Sequence, residues 1–412
     1  MHRVRTSLPY FKQLGWDAEV VVVNEKHADV VKDNFLLQSI PKNIKIHTVS
    51  AFNRQWTSKI GLGSLALRSL WYYYTAVNKI LKSQKFDLIY FSTTQFPVCT
   101  LGAFWKKKFK LPYVIDMQDP WHSEYYKNKP KHLQPKKYWF SYRLHKNLEP
   151  IAMKHVNGLI SVSDGYIRNL EDKYPALKNI PTATIPFSAH ADDLDIAHIN
   201  KENFSNFFDE EFINIAYVGR GGNDMEAALS MLFKVLKTGI EREPGVFGKL
   251  RFYFIGTSYA PEGQGKPTIL PVAEKYGVQD QVTEITGRVS YYHAIYMLQQ
   301  ADALFIPGSD DPKYTASKIY PSLLMKKPLM AIFRQESSVA DILTNDVSGA
   351  VLITLPPDNE SLNNIYKVLN SWSKREFNRV ILKESFNKFS SLAATAAQVE
   401  LFNRAIDIER QD

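Results

Sequence analysis

The stretch from Thr286 to Ile332, TGRVSYYHAIYMLQQADALFIPGSDDPKYTASKIYPSLLMKKPLMAI, decides the fold. It reads as helix, buried strand, polar loop, helix and buried strand. The apolar run Ala301–Ile306 stops at Pro307-Gly308, so a strand delivers its carboxyl end into a loop. Ser317-Lys318 then opens a helix, and Lys327-Pro328 closes it before the next run at Leu329–Phe333. Strands that alternate with helix-length segments need crossover connections, and hence a parallel sheet. In such sheets ligands sit beyond the carboxyl ends of strands, where helix N-termini aim free N–H groups at anions. A Ser-Lys pair at that place suits a diphosphate, with one hydroxyl donor and one fixed positive charge.

The same alternation extends in both directions. Strands are expected at 19–23, 44–49, 87–91, 113–116, 158–162 and 182–186 in the first half. In the second half they are expected at 214–218, 251–255, 281–285, 303–306, 329–332 and 351–354. This predicts an α/β chain of two Rossmann-like doubly wound domains, residues 1–190 and 191–390, facing a cleft, with a helical segment 391–412 behind them. The seam between the domains falls in the polar, acidic stretch 187–211, which shows no strong periodicity. One departure stands out: a doubly wound domain opens on a strand and a glycine-rich turn, whereas this chain opens on a helix, 4–14, followed by Gly15 and a strand. The first strand of the N-terminal domain is therefore expected to be missing, which would leave two sheet edges unpaired. The expectation is that the sequence starts at an internal methionine of a longer protein.

The composition is that of a globular protein, with 45% hydrophobic and 23% charged residues over 412 positions, enough for two ordinary cores. The one cysteine, Cys99, excludes an internal disulfide and fits a reducing compartment. No uninterrupted apolar run approaches about 20 residues; the nearest, 60–77, contains Arg68 and the four aromatics Trp71–Tyr74. The net charge of +9 is uneven. The first 200 residues hold 28 Lys+Arg and 16 Asp+Glu, and the remainder 23 and 26. A basic first half implies an anionic partner. Its charges cluster at Lys106–Lys108, Lys110 and Lys127–Lys146, among Trp105, Tyr125, Tyr126, Tyr138, Trp139, Phe140 and Tyr142. That mixture suits an anionic membrane surface, and also single-stranded nucleic acid, or it is a solvated basic face with no dedicated partner.

Gly219-Arg220-Gly221-Gly222 follows a predicted strand and precedes a helix. Its glycines let a phosphate approach the backbone and Arg220 can bond it twice, unless the sequence is only a tight turn. Gly256-Thr257 follows the next strand. Arg288-Val289 follows another, although Arg288 also fits a surface ion pair. Asp310-Asp311 sits in the loop before Ser317-Lys318-Ile319-Tyr320, where two adjacent aspartates are commonly just solvated. In the first half, Asp116-Met117-Gln118-Asp119-Pro120-Trp121 delivers two carboxylates and an aromatic plate from a strand end. Asp119 either faces a ligand or caps the turn before Pro120. No histidines show metal-ligand spacing, and there is neither a nucleophile elbow nor a Walker lysine loop.

Gly287-Arg288, Ala301-Asp302, Pro307, Ser317-Lys318 and Lys327-Pro328, in that order, resemble the nucleotide-sugar half of the two-domain GT-B glycosyltransferases, in particular retaining family 4. The resemblance covers nearly the whole chain, and Asp116–Trp121 is similar to the family's first-domain motif. It implies that the terminal helix packs back on the first domain. It also implies donor contacts from Gly219, Gly221, Gly222, Gly256, Thr257, Arg288, Val289, Asp310, Asp311, Ser317 and Tyr320. Catalytic roles would fall to Asp119, Asp116, Arg220 and Lys318, with Asp116 shaping the loop. No metal and no cofactor beyond the nucleotide-sugar substrate are implied. Three places depart from the family. Lys313 and Pro321 stand where it commonly has two glutamates. Gln118 stands where it often has His. The Gly-Arg-Gly-Gly turn lacks a following lysine until Lys234, although Lys266 can substitute.

The expected activity is transfer of a sugar from a nucleotide diphosphate to a lipid-linked or polysaccharide acceptor, with retention and without metal. The enzyme would be cytoplasmic, peripheral at the inner membrane face, and without a nucleic-acid partner. The alternatives are a catalytically degenerate scaffold or binding subunit, favoured by Lys313 and Pro321, and a nucleotide-sugar epimerase, which needs no acceptor.

Overall fold

The computed structural model describes residues 2–28, 33–122, 124, 127, 130, 131, 134, 138–260, 263–310 and 317–411. The chain divides into two compact units. The first comprises Met1–Lys32, Ile40–Ser188 and Ser391–Asp412; the second comprises Asp33–Ser39 and Ala189–Ser390.

In the first unit the order is α1 (His2–Phe11), β1 (Glu19–Val23), β2 (Lys45–Val49), α2 (Arg54–Thr57), α3 (Leu65–Ser83) and β3 (Ile89–Ser92). It continues with α4 (Thr100–Phe109), β4 (Tyr113–Met117), α5 (Tyr138–Met153), β5 (Gly158–Ser161), α6 (Asp164–Lys173) and β6 (Thr182–Thr184). The second unit starts with α7 (Asp192–Ile199), β7 (Ile213–Val218), α8 (Glu226–Arg242), α9 (Pro244–Phe247), β8 (Leu250–Ile255), α10 (Leu270–Tyr276) and β9 (Val282–Ile285). It goes on through α11 (Tyr291–Gln300), β10 (Ala303–Pro307), α12 (Ile319–Leu324), β11 (Leu329–Arg334), α13 (Ser338–Asn345) and the two-residue β12 (Val347–Ser348). β13 (Val351–Leu355), α14 (Asn359–Ser373) and the two-residue β14 (Ile381–Leu382) complete it; α15 (Ser391–Gln411) returns to the first unit.

The second unit is built on one six-stranded parallel sheet, ordered β13-β11-β10-β7-β8-β9. From β7 the chain winds outward through β8 and β9, then crosses back to begin β10 on the other side. The strand order therefore reverses between β7 and β10, the place where open parallel sheets bind ligands. Strands buried on both faces carry continuous apolar runs, and β10 and β11 do so: ALFIP is wholly buried and LMAIFR exposes only its arginine. Asp302 and Lys327, both in the motif order of Gly287–Pro328, lie at the opposite, amino ends of these strands. Asp302 Oδ2 accepts from Asn214 N at 2.8 Å, and Lys327 Nζ donates to the Ala301 carbonyl, so both act as strand-start clamps.

In the first unit, parallel β3-β4-β5-β6 form one sheet and parallel β1-β2 a separate one. Alternating residues of β4 serve two cores. Tyr113, Ile115 and Met117 pack with α3, α4 and α5, while Val114 packs with Leu8 and Phe11 of α1 and Leu401 and Phe402 of α15. Gly15 closes the first helical segment in the left-handed region (φ 83°), and Ser64 caps α3 by accepting from Leu67 N.

Three features differ from the sequence reading. The seam expected to lack periodicity contains α7, whose buried Asp193 accepts from the hydroxyls of Tyr291 (2.7 Å) and Tyr292 (3.0 Å). Residues 33–39 belong to the second unit: Phe35 and Leu36 pack with Ala197, Tyr292 and Ile295, and Asp33 Oδ2 accepts from Tyr291 N at 3.0 Å. The helix opened by Ser317-Lys318 begins one residue later and is only six residues long. Among the described residues no helix is long and apolar enough to cross a membrane.

Candidate functional site

The turn after β7 is held by the edge of β8. Gly219 N donates to the Ile255 carbonyl at 3.0 Å and Gly221 N to Thr257 at 2.8 Å, while the Tyr217 hydroxyl donates to the Arg220 carbonyl at 3.0 Å. A Cβ at Gly221 would lie 2.6 Å from Thr268 Oγ1, so only glycine fits this close approach. Gly256, at φ +75°, turns the chain out of β8. Thr257 is buried and donates to Glu284 Oε1 at 2.7 Å; the same carboxylate accepts from the N–H groups of Thr268, Ile269 and Leu270. Glu284 thereby satisfies the amino end of α10 that an external anion would otherwise meet.

Three cations gather at this edge of the sheet, but in different states. Arg220 is paired through both terminal nitrogens with Asp224, at 2.9 and 2.6 Å. That bond, aided by Ser309, holds the Asp224 carboxyl below the usual carboxylate range against partial desolvation. Asp224 also accepts through its carbonyl from Asp310 N at 2.8 Å, tying the turn after β7 to the loop after β10. Lys318 lies beside this turn: a Cβ at Gly219 would sit 3.3 Å from its Cγ. Burial, and secondarily the charge of nearby Arg288, depress the Lys318 pKa below that of a free lysine. Arg288 lies over the Tyr259 ring at 4.4 Å. Among the described residues neither Lys318 nor Arg288 forms an ion pair, so no carboxylate is paired with either of these two mutually repelling cations.

Gly219, Arg220, Gly221, Gly222, Gly256, Thr257, Arg288 and Lys318 are thus brought to one end of the sheet, as their motif places predict. Val289 follows Arg288 and packs against Tyr253 and Ile255, and Ser290 caps α11. Asp310 is exposed, and its backbone rather than its carboxylate makes the contact with Asp224. Ser317 is half-buried directly before Lys318. Tyr320 is not offered to a ligand: it is buried in the core, its ring 5.4 Å from Phe389, and burial pushes its hydroxyl up to about 12. Asp311 and Lys313 lie outside the described residues, while Pro321 lies in α12 and Lys266 is exposed. Sequence reasoning missed Asp224, although its place four residues after Arg220 was a readable signal.

In the first unit Asp116 is wholly buried. Its Oδ2 accepts from Arg3 Nε (2.8 Å), Gln118 Nε2 (2.7 Å), Ser92 Oγ (2.9 Å) and the Tyr90 hydroxyl (3.3 Å). A carboxylate so enclosed shapes the strand end and cannot touch a substrate. Asp119 is exposed, and desolvation raises its pKa. Trp121 differs from expectation: it is buried and stacked on Phe96 at 5.5 Å, so its indole supports the loop from within and is no ligand plate. Beneath that loop, buried Glu149 takes hydrogen bonds from His122 N, the Tyr174 hydroxyl and Lys173 Nζ. Among the described residues no group of three or more His, Cys, Asp or Glu is arranged to hold a metal ion.

No protein-family model and no curated protein matches this sequence. Solved structures do. The N-terminal domain of trehalose-6-phosphate phosphatase from Candida albicans is 12% identical, with 98% of this chain and 92% of that one aligned at a TM-score of 0.57. The UDP-forming α,α-trehalose-phosphate synthase of Burkholderia vietnamiensis is 10% identical over 94% and 100%, at 0.52. An E. coli trehalose-6-phosphate protein solved with UDP-2-fluoro glucose is 12% identical over 93% and 99%, at 0.50. At these identities the likeness is one of fold: an α/β chain with parallel sheets of the GT-B class.

Proposed function

We infer that this chain is a glycosyltransferase whose second unit holds a nucleotide-diphosphate sugar. The observation that carries this reading is the pair Lys318 and Arg288, near each other and, among the described residues, without carboxylate partners, beside the glycine turn of β7 where the strand order reverses. In the reaction, the bond between the anomeric carbon and the diphosphate oxygen breaks, and its electrons leave with the diphosphate. The acceptor hydroxyl oxygen bonds to that carbon and gives its proton to the departing phosphate. Lys318 and Arg288 neutralise the growing negative charge from fixed positions, commonly the largest catalytic contribution. Arg220 joins them by releasing Asp224.

The finer reading is a retaining, metal-independent transfer of the family 4 kind, to a lipid-linked or polysaccharide acceptor at the inner membrane face. It is supported by the basic first half of the sequence and by exposed Trp56, Trp71 and Trp139, with Lys59 and Arg143 over two of these rings. Asp119, exposed just past the end of β4, is the carboxylate assigned to the acceptor hydroxyl in this reading. A second reading, a donor-binding scaffold without turnover, is favoured by Pro321 and Lys313 at the places of the family's glutamates.

A thermal-shift panel of UDP-, GDP- and ADP-sugars tests the donor site. One nucleotide should raise the melting temperature of the wild type, and the rise should vanish in Lys318→Ala and Arg288→Ala. No rise with any donor refutes the reading. A rise without product in the presence of candidate acceptors selects the scaffold.

A further inference from the structure

Arg220 and Arg288 stand at the same edge of the second sheet and are held in different ways. Arg220 gives both terminal nitrogens to Asp224, which fixes the guanidinium and cancels its charge at once. Arg288 is exposed, and among the described residues neither a hydrogen bond nor an ion pair holds its guanidinium. What it meets is a ring: its Cζ lies over Tyr259, 4.4 Å from the centroid. Lys318 is near enough for the two charges to repel, so an untethered Arg288 side chain would swing away from it into solvent.

Tyr259 is 70% exposed, so packing does not account for its place. Its backbone is nevertheless fixed. Gly256 turns the chain out of β8, and Ser258 N then donates to the Thr286 carbonyl at 3.1 Å. Ala260 N donates back to Ser258 Oγ at 3.1 Å. The chain returns over the same place at Gly265, where a Cβ would lie 2.8 Å from the Thr286 side chain and 3.0 Å from that of Ser258. Thr286 stands just ahead of Gly287-Arg288, so the segment that bears the ring is pinned to the segment that bears the cation. Another arginine of this unit, Arg251 over Phe212 at 3.7 Å, serves as a contrast: its guanidinium also donates to the Gly248 and Leu250 carbonyls. Among the described residues the N–H groups of Arg288 have no such acceptor.

We propose that Tyr259 is a positioning residue, whose ring holds Arg288 beside Lys318 for the donor diphosphate without neutralising it. A carboxylate would also hold the guanidinium, but it would cancel the charge that a diphosphate needs, as Asp224 does for Arg220. An aromatic face attracts a cation through its quadrupole and carries no net charge. It leaves the guanidinium fork available to phosphate oxygens. The inference rests on the donor reading above and adds to it the group through which Arg288 is kept in place.

Calorimetric titration with inorganic pyrophosphate, UDP, GDP and ADP tests it. Tyr259→Leu keeps bulk and removes the quadrupole. It should weaken pyrophosphate and the bound nucleoside diphosphate by the same factor, roughly two- to fivefold. Tyr259→Phe, which keeps the ring, should bind as the wild type does. In an Arg288→Ala background Tyr259→Leu should have no further effect. Equal affinities of the wild type and the Leu variant would overturn the proposal, as would an equal loss in the Phe variant or an undiminished loss without Arg288. A loss confined to the nucleoside diphosphate, with pyrophosphate unchanged, would make Tyr259 a plate for the base and overturn the tether. If the wild type binds none of the four probes, the donor reading itself fails and this proposal falls with it.

Discussion

The two units follow one winding plan and spend their charges in opposite ways. In the second, a continuous sheet with β7 at its centre packs apolar residues throughout. Of the three cations at its carboxyl edge, Arg220 is paired with Asp224, while among the described residues Lys318 and Arg288 form no ion pair. In the first, the sheet is interrupted, and the equivalent region is occupied by a buried cation that is already neutralised, Arg3 on Asp116. The difference teaches where to look for chemistry: a charge the fold satisfies is structural, and a charge it leaves open is available to a ligand.

The sharpest way to break this comparison is Arg3→Ala. Removing one partner of a buried pair leaves an uncompensated charge, and the expected loss is about 3–5 kcal/mol in urea denaturation. Arg220→Ala, whose pair is partly exposed, should cost under about 1 kcal/mol while still weakening donor binding. Equal losses in the two variants would mean that the pairs do not differ in kind. Next in size, Lys318→Ala should weaken nucleotide-sugar affinity roughly 10- to 100-fold by calorimetry, the value of a charge-assisted contact. It should leave stability equal or higher, because the lysine is held desolvated. A variant that loses stability instead would place Lys318 among the structural charges.

Glu284→Gln probes a charge that the second unit does satisfy. With three N–H groups and Thr257 depending on this carboxylate, a loss of about 1–2 kcal/mol is expected in chemical denaturation. The smallest effect concerns pH. Burial, and then the charge of Lys173, push the His122 pKa below its ordinary value. Unfolded His122 therefore binds the proton more readily, so the first unit should lose stability as pH falls through about 6.5. Melting curves between about pH 7.5 and pH 5.5 should show this slope, and His122→Gln should flatten it.

The strands were legible because buried parallel strands are runs of apolar residues closed by Pro, Gly or polar loops, as in Ala303–Pro307 and Leu329–Arg334. The grouping of Gly219–Gly222, Gly256, Arg288 and Lys318 at one sheet end was legible because they sit directly after or near those runs. Contacts set by tertiary packing were not. Arg3 and Asp116 are 113 residues apart, and nothing local links them. Trp121, beside Pro120 in a polar stretch, reads as exposed until Phe96 is placed under it. Tyr320 stands two residues from Lys318 and reads as its neighbour in the site, but the helix turns it into the core. Residues 33–39 carry no mark in their composition that they belong with the second unit.

The return of α15 to the first unit has a consequence for biosynthesis. Leu401 and Phe402 share with α1 the cover over one face of β4 and β5, so that core is incomplete until residues 391–411 have left the ribosome. The second unit needs only residues 33–39, made early, and 189–390. The half synthesised second is therefore expected to close first, the reverse of the usual N-to-C order. Proteolysis of released chains truncated after residue 390 would show it: a resistant fragment from the second unit, and a first half still open to cleavage.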